Sequence, residues 1–268
     1  MPRLDQFYFW QVVKLLTVMA SLPSCAAAAS LDSAQAPGSN FPQIAENYLL
    51  QDFDARDRPE EVPITSDLQN RFFYSNCFAP IGCHRGAPKG SVVFWVPSGF
   101  ASTPNSHYPR VELRAKRDFT LGGNFDITQS GDVYILQNPQ TRSIIFAQIH
   151  GDKAGGSELL KLRWDNGSLE AGTKEHYGAS ERRTTLLTGV ELGQKISYTI
   201  NAQSMGAGMN LQIEVSAGGR ESKQTFEFPA SGWSGVGLYF KAGNYNQSSS
   251  PDGGTAIVAY SALKIRYK

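Results

Sequence analysis

Beyond its N-terminal part, the chain is a succession of short runs in which apolar and polar residues tend to alternate with period two. The clearest are "SVVFWV" (Ser91 to Val96), "YPRVELRA" (Tyr108 to Ala115), "DVYILQ" (Asp132 to Gln137) and "SIIFAQIH" (Ser143 to His150). Further runs are "ELLKLRW" (Glu158 to Trp164), "KISYTINA" (Lys195 to Ala202), "MNLQIEVS" (Met209 to Ser216), "GVGLYFKAG" (Gly235 to Gly243) and "AIVAYSALKIRY" (Ala256 to Tyr267). A strand sends successive side chains to opposite faces, so such runs predict strands with one buried face. Gly, Asn, Asp and Pro punctuate them and supply the turns. Long amphipathic helices are scarce, and one short helix is expected within Phe41 to Arg58. The pattern predicts an all-β domain, a sandwich or jelly roll of two antiparallel sheets.

The N-terminus breaks the pattern. Arg3 and Lys14 accompany "LLTVMASLPSCAAAAS", an apolar stretch too short and interrupted for a membrane span, followed by small residues. Residues 1–29 read as an export signal cleaved around Ala27 to Ala29, which places the mature protein outside the cell. "LPSC" ending at Cys25 also resembles a lipoprotein box, so a lipid anchor is the alternative. Residues 30–42 are rich in Ala, Ser, Gly and Pro and read as a flexible leader. Residues 43–268 form one domain, with no second linker or repeat.

With Cys25 removed or lipidated, Cys77 and Cys83 are left of the 3 cysteines. "CFAPIGC" can turn back on itself, and export favours a disulfide across it. Zinc is the rival, because His84 adjoins Cys83, but a lone pair without further ligands is weak for zinc. A net charge of +1 argues against a dedicated nucleic-acid binder, and 41% hydrophobic residues argue against wholesale disorder.

Three strands carry the chemistry. In "RVELR", Arg110, Glu112 and Arg114 share one face, with Val111 and Leu113 behind them. Alone this could be a solvated surface, or a cationic platform for an acidic ligand. In "AQIH", Gln148 and His150 share a face, and Ile145, Ala147 and Ile149 take the core side. A single strand histidine is more often structural. In "YFKAGNYNQ", Tyr239, Lys241, Gly243 and Tyr245 share a face, with Asn246 and Gln247 completing the stretch. An edge strand guarded by Lys241 is the alternative. Glycosidases use two facing carboxyl groups, and these strands offer only Glu112. No phosphate-binding, dinucleotide-binding or serine-hydrolase motif appears.

Taken together and in order, "RVELR", "QIH" and "YFKAGNYNQ" resemble the alginate lyases of polysaccharide lyase family 7. Val111 departs from the family's Ser or Thr but points away from the polar face. The resemblance implies a jelly roll with a groove on one sheet and eliminative cleavage of alginate, with no metal or organic cofactor. It implies His150 and Tyr245 as proton-transfer groups, and Arg110 and Gln148 as neutralisers of the uronate carboxylate. Arg114, Lys241, Tyr239, Asn246 and Gln247 are expected to bind substrate, as is Glu112, which would also orient both arginines. Ile149 in "QIH" accompanies guluronate-containing blocks among relatives, and endolytic action is expected. The only partner implied is the acidic polysaccharide, and a monomer is expected. A non-catalytic carbohydrate-binding jelly roll and a lyase on another polyuronate, such as glucuronan, are the alternatives.

Overall fold

The computed structural model describes residues 31–78, 80–103 and 106–268. The expected export signal and Cys25 lie outside them. Two short helices come first, α1 (Pro37–Asn40) and α2 (Pro42–Asn47). Each begins with a proline, where the missing N–H has no helical partner to lose. The strands are β1 (Tyr48–Phe53), β2 (Pro59–Pro63), β3 (Phe73–Ser75), β4 (Cys77–Phe78), β5 (Gly82–Cys83) and β6 (Val92–Pro97). They continue as β7 (Arg110–Ala115), β8 (Asp126–Gln137), β9 (Ser143–Gly151), β10 (Glu158–Asp165), β11 (Ser168–Thr173) and β12 (Arg182–Leu187). The last are β13 (Lys195–Ser204), β14 (Gly208–Ala217), β15 (Arg220–Pro229), β16 (Leu238–Asn246) and β17 (Thr255–Tyr267).

These strands build the expected two-sheet sandwich. An 8-stranded sheet has the order β12-β11-β10-β9-β16-β7-β1-β2, and a 7-stranded sheet the order β15-β14-β13-β8-β17-β6-β3. Neighbouring strands are antiparallel in both. Period-two burial sets the inner faces. Val111 and Leu113 of β7, Phe240 and Ala242 of β16 and Ile149 of β9 share one core with Phe94 and Val96 of β6 and Val258 of β17. Burying each large side chain of this kind contributes about 1.5–3 kcal/mol.

Polar ties cross that core. Asn244 Nδ2 on β16 donates to the carbonyls of Phe94 (3.0 Å) and Ala256 (2.9 Å) in the opposite sheet, and Asn246 Nδ2 donates to Val96 O (3.0 Å). The Tyr260 hydroxyl donates to Phe146 O in the same manner. Buried away from water, these bonds fix the height at which β16 sits over the second sheet.

Residues 31–42, expected as a flexible leader, are instead packed into the domain. Ala36, Pro37, Gly38 and Phe41 are buried. Asn40 Nδ2 donates to Asp32 O (2.7 Å), Ser75 Oγ (3.1 Å) and Gly90 O (3.1 Å). Small residues here serve close packing: a Cβ on Gly38 would lie 2.2 Å from Thr65 O.

Cys77 and Cys83 are bridged, with their Cα atoms 4.0 Å apart. The β4–β5 hairpin they close lies near the outer face of the 7-stranded sheet, where Tyr74, Val93, Ile257 and Ala259 form a second apolar cluster. Phe78 of the hairpin packs on it. His84 stacks on and hydrogen-bonds Tyr74 rather than joining the sulfurs. Closing so short a loop removes chain entropy equivalent to about 2 kcal/mol. Replacing both cysteines with serine is therefore expected to lower Tm by about 4–8 °C. Activity at 25 °C should be unchanged, because the hairpin is on the sheet that carries no groove residues. Thermal denaturation followed by circular dichroism, with an activity assay on the same samples, checks both parts.

Candidate active site

Sheet order makes the site. Strands β9, β16 and β7 are far apart in sequence but adjacent in space. Register sets Tyr239 beside His150, and Lys241 between Arg114 and Gln148. It also sets Gly243 beside Glu112 and Tyr245 beside Arg110. Gly243 has φ +150°, and a Cβ there would lie 2.6 Å from Val111 O. A side chain would push β7 and β16 apart at the centre of the site, so the strand takes glycine.

Parity holds along β16 and fails on β9. An extra residue in β9, opposite Leu162 and Arg163 of β10, shifts the register near Phe146. Ile145, expected on the core side, is turned out of the core cluster and faces Tyr245 and Arg163 in register. Gln148 and His150, beyond the bulge, keep the expected face.

Glu112 is the hub and is fully buried, at 0% exposure. Lys241 Nζ lies 2.6 Å from its Oε2, Gln148 Nε2 donates to its Oε1 at 2.5 Å, and Arg110 Nη1 lies 3.5 Å from Oε2. Lys241, 1% exposed, also donates to Gln51 Oε1 on β1. Burial pushes the Glu112 carboxyl up, but Lys241 and Arg110 outweigh it and hold it below its usual value. Burial pulls the Lys241 ammonium down to about 8, against the pull of Glu112. Both are therefore ionised at neutral pH.

The arrangement corrects two expectations. Glu112 has no free surface with which to bind substrate, and it holds Arg110, Lys241 and Gln148 rather than both arginines. Arg114 instead pairs with Asp118 (2.9 Å) and lies over the Tyr239 ring, with its Cζ 4.1 Å from the centroid. A third correction concerns Asn246: its side chain faces the core and is spent on Val96, so it cannot reach a ligand in the groove. Gln247 Nε2 reaches the carbonyl of Tyr245 at 3.3 Å and does not line the cleft.

A cleft of about 400 Å³ opens over this network and is lined by Arg110, Gln148, His150, Tyr239, Lys241 and Tyr245 among others. His150 Nδ1 is 2.7 Å from the carbonyl of Gly151. A carbonyl only accepts, so Nδ1 carries the proton and Nε2 is the basic nitrogen of the neutral ring. The Tyr239 ring stacks on the imidazole, 5.6 Å between centroids. Burial, then the charges of Lys241 and Arg110, push the His150 pKa down to about 4. Burial pushes the Tyr239 phenol up to about 12, so it stays protonated.

Tyr245 is positioned differently. The Arg110 guanidinium lies over its ring, with Cζ 3.7 Å from the centroid. Its hydroxyl is 2.9 Å from Ser106 Oγ, which also accepts from Arg110 Nη2 at 2.8 Å. Sequence reasoning missed Ser106 and Gln51, because both reach the site from outside the three motifs. Asp152 to Gly156, in the loop after β9, form one wall of the cleft, with Glu158 and Lys161 of β10.

Glu112→Gln keeps the shape of the hub but leaves the buried Lys241 charge uncompensated. Breaking one partner of a buried pair typically costs 3–5 kcal/mol, so the unfolding free energy is expected to fall by about that amount. Adding Lys241→Met should recover much of the loss. Urea denaturation of the single and double variants measures both, and a single-variant loss under about 1 kcal/mol would contradict the hub, since removing a buried charge partner costs more than that.

The family model described as alginate lyase matches residues 65–267. Among solved structures, family 7 alginate lyase A1-II′, crystallised with a product written GGG, superposes with TM-score 0.69 at 26% identity, covering 87% of this chain and 99% of that one. An alginate lyase from Pseudomonas aeruginosa superposes with TM-score 0.65 at 25% identity, covering 84% and 99%. The alginate lyase from Klebsiella pneumoniae, at 20% identity, shares the fold with TM-score 0.70, covering 87% and 99%. A search of curated proteins found no match. The family model spans the sandwich from before β3 into β17, including all three groove strands, and on that ground this chain belongs to the alginate lyases of polysaccharide lyase family 7.

Proposed function

We propose that His150 and Tyr245 carry the proton transfers of alginate cleavage in this lyase, with Arg110 and Gln148 holding the uronate carboxylate. One observation carries the reading. His150, Tyr245, Arg110 and Gln148 converge on a single cleft, and the last two are held from beneath by one buried carboxylate.

Elimination removes the C5 proton beside the carboxylate and expels the O4-linked sugar. The C5–H pair becomes the C4=C5 bond, the C4–O4 bond breaks, and O4 takes a proton. An ionised carboxylate resists loss of the C5 proton because charge accumulates on it, so neutralising it is the main electrostatic requirement. Arg110 suits that task. Its Nε is buried with no partner among the described residues. Gln148 has two N–H groups. One donates to Glu112, which leaves the other for the carboxylate. His150 Nε2 is the base and the Tyr245 phenol is the acid that protonates O4. In mannuronate the C5 proton lies on the side of the leaving oxygen, and there Tyr245 serves both roles.

The enzyme is further proposed to act endolytically, to prefer guluronate-containing blocks, and to work as a monomer outside the cell. Two cationic side chains flank the centre, Lys161 of the cleft wall, paired with Glu158 and Glu181, and Arg114 over the Tyr239 ring, paired with Asp118, and they support binding within a polymer. The disulfide supports export. The block preference rests on Ile149 in "QIH", whose side chain lies in the core.

Near-ultraviolet absorbance of the conjugated product, with alginate and its separated blocks, tests the chemistry. Tyr245→Phe is expected to lower kcat by about 10²- to 10⁴-fold with alginate binding nearly intact. Arg110→Ala should weaken both binding and turnover. His150→Asn should harm guluronate-rich substrate more than mannuronate-rich substrate. A folded Tyr245→Phe enzyme with most of its activity would remove the mechanism.

The pH profile follows from burial. Neutral His150 is the active form, and its pKa in the free enzyme is pushed down to about 4. The acid limb of kcat/KM, which reports the free enzyme, should therefore fall well below the ordinary histidine value of about 6.5. Stability moves with the same sign. The unfolded chain takes up this proton near pH 6.5 and the folded one only near 4, so the His150 contribution is present above about 6.5 and is lost as pH falls towards 4. An acid limb for guluronate-rich substrate at or above pH 6.5 would contradict this account.

A further inference from the structure

We infer that Ser106 is a positioning residue for Tyr245: it directs the phenolic proton into the cleft and holds the phenolate that forms when that proton leaves. The inference rests on Tyr245 acting as the acid.

The argument is an inventory of one hydroxyl, which has one proton to donate and two lone pairs to accept with. Four polar groups surround Ser106 Oγ. Arg110 Nη2, at 2.8 Å, and the backbone N–H of Tyr108, at 3.3 Å, are donors and can only be accepted. They take the two lone pairs. The Ser106 proton is left with two destinations, Tyr108 O at 3.2 Å and the Tyr245 oxygen at 2.9 Å. The shorter contact goes to Tyr245. Donation from a cationic guanidinium also polarises the serine O–H and makes it the stronger donor.

With Ser106 donating, Tyr245 does not spend its own proton on the serine. That proton is free to point into the cleft, towards the leaving oxygen. The step balances within the enzyme. The Tyr245 O–H bond breaks as O4 gains its proton, and the C5 proton moves to His150 Nε2. The resulting phenolate keeps the Ser106 hydrogen bond and lies beneath the Arg110 guanidinium, 3.7 Å from its ring centroid. Proton return from imidazolium to phenolate resets the site. Without Ser106, the phenol has one fewer fixed neighbour, and the phenolate loses its hydroxyl donor.

Ser106 lies at the entry to β7, four residues before Arg110. Two routes are therefore open to it, through Tyr245 or through Arg110, and the experiment separates them. Ser106→Ala is expected to lower kcat about tenfold, the scale of one charge-assisted hydrogen bond, with KM changed less than about twofold. Ser106→Thr keeps the hydroxyl and should restore most of kcat. In a Tyr245→Phe background, Ser106→Ala should cost nothing further, because its target is gone.

Wild-type kcat in Ser106→Ala would overturn the inference and leave the role of Tyr245 intact. So would an undiminished tenfold loss in the Tyr245→Phe background, or a loss carried by KM, since either routes the effect through Arg110 or the fold. Failure of Ser106→Thr to rescue a Ser106→Ala defect, with Tm unchanged, would also overturn it. High activity in Tyr245→Phe alone would instead strike the underlying mechanism, so the two failures are told apart.

Discussion

The carboxylate of Glu112 is the constraint around which the rest of the site is arranged. A fully buried anion is tolerable only when cations and donors satisfy it. Here Lys241, Gln148 and Arg110 do so, from three different strands. As a source of stability such a network is a poor bargain, because desolvating the charges offsets most of their attraction. Its value lies in position. Each group bound to Glu112 loses rotameric freedom and keeps one direction, and all three, Arg110, Gln148 and Lys241, line the cleft. A uronate carboxylate entering that cleft meets donors that are already oriented. Little reorganisation is left to the moment of reaction.

The same constraint reaches the histidine. Lys241 keeps its charge at neutral pH because Glu112 is beside it, and burial, reinforced by that charge, keeps the His150 imidazole neutral. A base that is neutral over the working pH range is obtained without any group reserved for that purpose. The backbone carbonyl of Gly151 then chooses the tautomer. Tyr245 is set apart from this network by Ser106 and the Arg110 face. The base and the acid thus sit in different surroundings within one cleft, which is how a single site can offer both functions.

Backbone geometry carries as much of the design as charge. Gly243 lets β16 lie close against β7 where Glu112 and its partners meet. Asn244 and Asn246, on the reverse of the same strand, bond to carbonyls of the other sheet. The "YFKAGNYNQ" stretch therefore works on both faces. Its tyrosines and lysine face the groove, and its asparagines anchor the strand from behind.

The sequence by itself determined the fold class and which polar side chains share a strand face. Period-two alternation dictates which side chains share a face, so Arg110 with Glu112, Gln148 with His150, and Tyr239 with Lys241 and Tyr245 were legible strand by strand. The disulfide followed from the close spacing of Cys77 and Cys83 and from the expectation of export. Partnership was decided only by the tertiary structure, because it depends on sheet order and register between strands distant in sequence. Glu112 took Arg110, Lys241 and Gln148 and left Arg114 to Asp118. Asn246 became an anchor because parity places it behind Tyr245, where Val96 of the opposite sheet is within reach. Ile145 turned away from the inter-sheet core cluster, while staying buried, because one extra residue in β9 shifted the register, which no local pattern marks. Residues 31–42 looked like a leader because small residues and proline suit flexible chain and close packing equally. Ser106 and Gln51 stayed hidden for the same underlying reason. A lone polar residue acquires a role only when the fold brings it to a partner.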